Sequence, residues 1–413
     1  MLRRCYPQQV PQALIQAPNS ASTDVDRRGL RGYRRLVILP RAVGSPTRMS
    51  SWSSVHHTLM PKDILPLSLH PLVQTLRRIG LRGVSANPGR VALLAFRAPF
   101  LSFCHWSQNH SPPSAQSPLP DPFFILGYWR SGTTFLHELL SLDKRFVAPT
   151  TYQCFNPQTF LLARQTPANG SAVRRPMDAM TITPDSPQED EFALLGLGAP
   201  SPYEYWLAPR GMATDFRYAL CLDALPPAMR QHWQRTLLWF VRAFAGLAGG
   251  RRTPLLKSPP HSFRIPALLR LFPRARFVYL IREPDQVFAS ARRTFAHMLA
   301  RYSLEPYQME DLESYLVNTR LLLEERIQID AQPLCARGCF CTIRFADLIR
   351  DPEAVIEGLY AYHGFDLTPD FQSRLAAHFG TLSGYQPATR TDTMAIPSAI
   401  ANLTEPSVPC LIH

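Results

Sequence analysis

The sequence predicts an α/β fold in which a central parallel sheet is flanked by helices, and three observations carry that prediction. FFILGYWRSGTTFLHELL (Phe123–Leu140) reads as an apolar strand, a loop of small residues and an amphipathic helix. Two further apolar runs, at Leu255–Leu256 and Phe277–Ile281, each lead directly into a cation, Lys257 and Arg282. Helix-like segments separate these runs, which suits parallel strands joined by crossover connections. The spacing from Gly127 to Gly132 imitates the triphosphate loop G-x-x-x-x-G-K-[ST], so the predicted fold is P-loop-like, of the nucleotide-kinase kind.

Taken in chain order, the segment Met1–Met60 is rich in Arg, Pro, Ser and Gln and shows no sustained apolar period. It reads as a disordered basic extension, or as an over-extended start with Met49 or Met60 as the true one. Residues 61–120 form an amphipathic helical appendage, with Arg97 interrupting VALLAFRAPFLSF, and then a linker, QNHSPPSAQSPLPDP. No window holds ~18 uninterrupted apolar residues, so a membrane span is not expected, while an interfacial helix fits the pattern. Residues 121–380 form the main domain and 381–413 a tail. Within the domain, helices are expected over Glu189–Leu197, Pro226–Ala248, about Phe263–Leu271, from Pro284 onward, and over Tyr307–Ile329 and Pro352–His363, with Gly249 and Gly250 stopping the second. Cys339 and Cys341 alternate along a strand before TIRF.

The loop after Gly127 has the chemistry of an anion cradle. Ser131, Gly132, Thr133 and Thr134 bring unobstructed amides and hydroxyls to a helix start, where oriented N–H groups and the helix dipole favour negative charge. Thr133 stands where the triphosphate loop needs Lys, and the cation comes earlier, at Arg130. Arg282 opens the next such strand end, and Ser290 lies eight residues beyond it on the following helix. Cations at strand ends beside helix starts converge at the carboxyl edge of an open α/β sheet. The chain holds three lysines (Lys62, Lys144 and Lys257) among 44 basic residues, so a Lys at a strand end suggests a need for a compact ammonium.

Together these segments resemble the sulfotransferases that use 3′-phosphoadenosine-5′-phosphosulfate (PAPS), with PAP as the product. The resemblance runs from about Asp121 to Phe379 and includes FADLIRDPEAVIEGLYAYHGF, which looks like the family's later strand, acidic turn and helix, and PQEDEFALL, which is similar to an acidic segment of a bacterial-type branch. It implies that Arg130, Ser131, Gly132, Thr133 and Thr134 bind the 5′-phosphosulfate, that Arg282 and Ser290 bind the 3′-phosphate, and that Lys257 touches the bridging oxygen and sulfuryl group. No metal is demanded, because cations and amides supply the positive field. A base must take the acceptor's proton. Some relatives carry an acid shortly after the first helix, but FVAPTTYQCF has none, and where others carry a His this chain has Pro259. Glu189, Glu191 and His261 are the candidates, with Glu189 or Glu191 favoured.

The formal charge of +13 is uneven: Met1–Met60 hold nine Arg against Asp24 and Asp26, a net +7. The mildly basic remainder suits an enzyme with a polyanionic donor and gives no sign of nucleic-acid binding. The expected acceptor is a small molecule, glycan or lipid bearing an alcohol, phenol or amine. The eight cysteines are scattered and lack a completing His cluster, so they read as buried thiols in a reducing, cytoplasmic setting. The final CLIH and the NLT at Asn402 read as accidental motifs in a chain without a signal segment. The other readings are a nucleotide-dependent phosphotransferase, which Thr133 and the missing magnesium-binding Asp argue against, and a non-catalytic PAP- or nucleotide-binding protein. The family's C-terminal donor contacts have no firm place in SGYQPATRTD, and the sequence leaves the oligomeric state open.

Overall fold

The computed structural model describes residues 65–110, 119–163, 173–174, 181–381, 397, 400 and 410–412. The expectations for residues 1–60, for SGYQPATRTD and for Asn402 lie outside them. At the centre is a five-stranded parallel sheet built from β1 (Phe123–Gly127), β2 (Phe146–Val147), β5 (Thr253–Lys257), β6 (Arg276–Ile281) and β7 (Phe340–Arg344), in the order β2-β5-β1-β6-β7. A short antiparallel pair, β3 (Val173–Arg174) with β4 (Thr181–Ile182), stands apart from it. No apolar run in the sequence announces that pair.

β1 is continuously apolar because helices cover both faces of the sheet. Phe123 and Ile125 enter one core with Leu136, Leu139, Leu255 and Ile356, whereas Phe124 and Leu126 enter the other with Phe240, Leu256, Phe277 and Tyr279. The helices obey their sequence punctuation. The helix Pro284–Tyr302 has proline in its first turn, where a missing N–H costs nothing. Pro352–His363 is capped by Asp351 Oδ1, which accepts from the Ala354 amide at 3.0 Å, and ends at Gly364 in the left-handed conformation.

Boundaries shift modestly from expectation. The helix expected over Glu189–Leu197 begins at Glu191, that expected at Tyr307 runs from Met309 to Cys335, and Phe263 belongs to a 3₁₀ turn that precedes the helix Ile265–Leu271. The first shift matters, because it leaves Glu189 ahead of the helix. Cys341 is buried on β7, and Cys339 lies just ahead of the strand.

Two helices, Leu69–Ala86 and Pro88–His110, precede the sheet and pack antiparallel, with the Leu69 amide donating to Ser102 Oγ at 2.8 Å. Leu72, Ile79, Val91, Leu94 and Ala98 join the main core. Polar straps hold this hairpin down: Asn87 Nδ2 donates to the Leu304 carbonyl and Gln108 Nε2 to that of Pro157, at 3.0 and 3.1 Å. No described helix is long and apolar enough to cross a membrane.

Candidate active site

The carboxyl ends of three adjacent strands meet at one edge of the sheet. Parallel register pairs Ile125 with Lys257 and Gly127 with Leu280, so the loops leaving β5, β1 and β6 open side by side. Strand order reverses around β1, and such a switch point forms a crevice in open α/β sheets.

The cradle is shaped by what its glycines avoid. A Cβ on Gly132, whose φ is +98°, would lie 2.2 Å from the Phe345 ring. One on Gly127 would lie 2.5 Å from Ser131 Oγ. Ser262 fastens the end of β1, accepting from the Gly127 amide at 2.9 Å and donating to its carbonyl at 3.1 Å, and Ser131 Oγ donates to the Tyr128 carbonyl at 2.8 Å. The amides of Gly132, Thr133 and Thr134 then head the helix Thr133–Ser141, whose first turn supplies them no carbonyl. Arg130 holds a φ of +70°, a strained conformation of the kind that gathers at ligand sites.

Arg130, Arg282 and Ser290 are brought together. Arg130 Nε donates to Ser290 Oγ at 3.1 Å, and Arg282 Nη1 to the Arg130 carbonyl at 3.4 Å. The Arg282 guanidinium lies 4.6 Å over the Phe345 ring, so the side chain that closes on Gly132 also braces this cation.

Lys257, the last residue of β5, is 2 % exposed. Its ammonium donates to Thr134 Oγ1 at 3.3 Å and to Glu189 Oε1 at 2.7 Å. The other carboxylate oxygen of Glu189 accepts from the Tyr203 hydroxyl, which itself accepts from Trp129 Nε1 at 3.3 Å. Burial, reinforced by the Glu189 charge, pushes the Tyr203 phenol well above its ordinary range, so it stays a donor. Glu189 keeps 16 % of its side chain exposed and therefore faces an accessible volume.

The remaining candidates have different surroundings. Glu191 is fully buried in a two-pronged pair with Arg264, at 2.8 and 3.2 Å. His261 is equally buried, with Nε2 2.7 Å from Asp190 Oδ2, while Ser258 Oγ donates to Asp190 Oδ1 at 2.8 Å. Burial alone would raise the Asp190 carboxyl, but the His261 charge and these hydrogen bonds outweigh it and hold the carboxyl below its ordinary range. On the buried face of the cradle helix, burial and then the neighbouring Lys257 charge depress His137 to about 3, which keeps its imidazole neutral.

Sequence reasoning did not single out Asp190, Arg264, Trp129 or His137 for this region. Asp190 stood in plain view between two candidates, whereas its partners Ser258 and His261 arrive from a distant segment just after β5.

A parallel sheet with a lysine-free loop of small residues at its switch point and a second cationic pair beside it defines a P-loop-like fold. The Sulfotransferase family model matches residues 122–369, and the chain belongs to that family. It is 34% identical over 268 residues to the omega-hydroxy-beta-dihydromenaquinone-9 sulfotransferase Stf3 of Mycobacterium bovis and of Mycobacterium tuberculosis, a match covering 64% of this chain and 68% of either relative. Its fold is that of two solved structures. Sulfotransferase STF9 of Mycobacterium avium gives a TM-score of 0.53 at 19% identity over 77% of this chain and 88% of that one. STF1 of M. tuberculosis gives 0.51 at 20% identity over 75% and 85%. The chain is therefore a sulfotransferase.

Proposed function

We propose that this enzyme transfers the sulfuryl group of PAPS to an alcohol acceptor, with Glu189 as general base and Lys257 neutralising the departing phosphate. The contact between Glu189 and Lys257 carries the reading, since it brings the proton acceptor and the cation for the leaving group to one point beside the cradle. The donor's role is to supply an activated sulfuryl group.

The cradle residues fit such a donor: glycines at 127 and 132, amides of residues 132–134 at a helix start with Arg130 for the 5′-phosphosulfate, and Arg282 with Ser290, both bonded to Arg130, for the 3′-phosphate. Before the donor enters, Glu189 satisfies Lys257. A phosphosulfate competes for the same ammonium and leaves Glu189 held by Tyr203 alone. The carboxylate is then free to take the proton as the acceptor oxygen attacks sulfur. The new O–S bond forms as the S–O bond to phosphate breaks, and the charge on that phosphate oxygen grows against Lys257, Thr134 and the loop amides. This order of events protects against premature chemistry, because the base is engaged until the donor is in place.

An alcohol is favoured because the relative Stf3 takes its name from an omega-hydroxy compound. The aromatic wall beside Glu189 suits an apolar one: Tyr203 stacks on Trp206 at 4.0 Å, and Phe192 lies 5.2 Å from Tyr203. Calorimetry with PAP in the presence of EDTA tests the donor, and sulfur-35 transfer from labelled PAPS to long-chain alcohols tests the activity. Strong, strictly magnesium-dependent ATP binding with PAP silent would sink the proposal.

A further inference from the structure

The helix Pro88–His110 turns an unbroken apolar face to solvent. From Ala92 to Trp106, its exposed residues are Ala92, Ala95, Phe96, Pro99, Phe100, Phe103 and Trp106, with no polar side chain among them. Phe96 is 77% exposed, Phe103 62% and Trp106 56%, and the last two rings stack at 5.9 Å. Arg97, the charge that interrupts this stretch in the sequence, points the other way and is buried. Four turns of helix, about 21 Å long at 1.5 Å per residue, thus present aromatic rings in a continuous strip. At 150–250 Å² per ring, roughly half exposed, the four aromatics alone offer on the order of 400 Å². The antiparallel neighbour also exposes Leu69, Val73 and Leu81.

Its charge indicates the partner. Between Asp63 and Asp121 the sequence holds no Asp or Glu and five arginines. Of these, Arg77 and Arg82 are exposed and bracket Leu81 on the helix that flanks the strip. With two exposed guanidiniums and no acid to offset them, the face favours an anionic bilayer, which also accepts Phe and Trp at the boundary between headgroups and acyl chains, over a second copy bearing the same charge. Since no described helix can span a membrane, the contact is one of lying in the interface.

We propose that the helical hairpin Leu69–His110 docks the enzyme onto an anionic lipid surface, with Phe96, Phe100, Phe103 and Trp106 inserted and Arg77 and Arg82 at the headgroups. The test needs no turnover, so it stands apart from the donor and acceptor assignments. Full-length protein is co-sedimented with vesicles of phosphatidylglycerol and phosphatidylcholine, or of phosphatidylcholine alone. Binding is expected to be at least tenfold stronger on the anionic vesicles. The double variant Phe96→Ser, Phe103→Ser should lose at least tenfold on both kinds, and Arg77→Glu, Arg82→Glu should lose the anionic preference, each with the unfolding midpoint of the parent. The idea is overturned if the parent stays in the supernatant with both vesicles. It is equally overturned if the Phe variant sediments like the parent, which would assign binding to the basic segment Met1–Met60. A third refutation is a parent that ignores vesicles and is a dimer by analytical ultracentrifugation, which the Phe variant dissociates. The face would then be an interface between copies.

Discussion

Replacing Glu189 and Glu191 separately by glutamine distinguishes a base from a structural anion. Glu189→Gln keeps one oxygen, enough for Tyr203 or Lys257 but not for both, and cannot take up a proton. Losing a positioned general base typically costs 10²–10⁴ in rate, so turnover should fall by about that much. The fold should scarcely notice, because Glu189 is partly exposed and Lys257 keeps Thr134 as a partner. Affinity for PAP should hold or rise, by up to about tenfold, since an internal competitor for the Lys257 ammonium loses its charge. Glu191→Gln removes the counter-charge of a fully buried Arg264, whose other acceptors are the carbonyls of Ala219, Leu220 and Pro200. Breaking such a pair from one side costs about 3–5 kcal/mol, so the loss should appear as a lower urea midpoint and not first as a lower kcat. Sulfur-35 transfer at saturating donor, PAP calorimetry and urea unfolding on both variants make the comparison. Near-parent turnover in Glu189→Gln with intact PAP binding would refute the assignment, and a dead, fully stable Glu191→Gln would move the base to that residue.

Lys257→Ala should lower kcat by ~2 to 4 kcal/mol of barrier while changing the donor's KM little, because its contact strengthens as charge develops; pre-steady-state turnover at saturating PAPS checks this. Arg282→Ala and Ser290→Ala should weaken PAP binding and leave saturated turnover largely intact, as read by calorimetry beside kcat. Gly132→Ala should abolish PAP binding, since its Cβ would sit 2.2 Å from the Phe345 ring at a φ of +98°, and Phe345→Ala in the same chain should partly restore it. His137 takes up a proton more readily when unfolded than when buried and held at about 3, so it favours the fold at neutral pH and progressively less as pH falls from about 6.5 toward 3. Unfolding midpoints measured over that window should decline more steeply for the parent than for His137→Gln.

Elements set by local spacing were legible in the sequence; contacts between remote segments were not. The cradle could be read because strand, small-residue loop and helix start are contiguous, and the order of apolar runs was enough to expect the parallel sheet. The three consecutive residues Glu189, Asp190 and Glu191 could not be told apart, since their fates turn on where one helix begins. With the helix starting at Glu191, the preceding chain sends Glu189 to Lys257, while Asp190 reaches Ser258 and His261 and Glu191 reaches Arg264. Each partner lies on or just after β5, far along the chain from the three acids, and no local pattern connects the two segments.

Under the proposed function, that one short segment stands in for the acid missing after the cradle helix. FVAPTTYQCF has no carboxylate, but Thr150 forms a β-bridge with Pro187, and the Gln188 amide donates to the Pro149 carbonyl at 2.9 Å. The chain carrying Glu189 therefore runs alongside the segment where other sulfotransferases are expected to hold an acid. Asp190 and Glu191, paired with Ser258, His261 and Arg264 just after β5, anchor the stretch next to Glu189. A base carried by a loop needs this kind of support, because an acceptor proton must be met within about 3 Å. The buried Asp190–His261 and Glu191–Arg264 contacts supply rigidity, so under the proposed function three adjacent acids serve one reactive position.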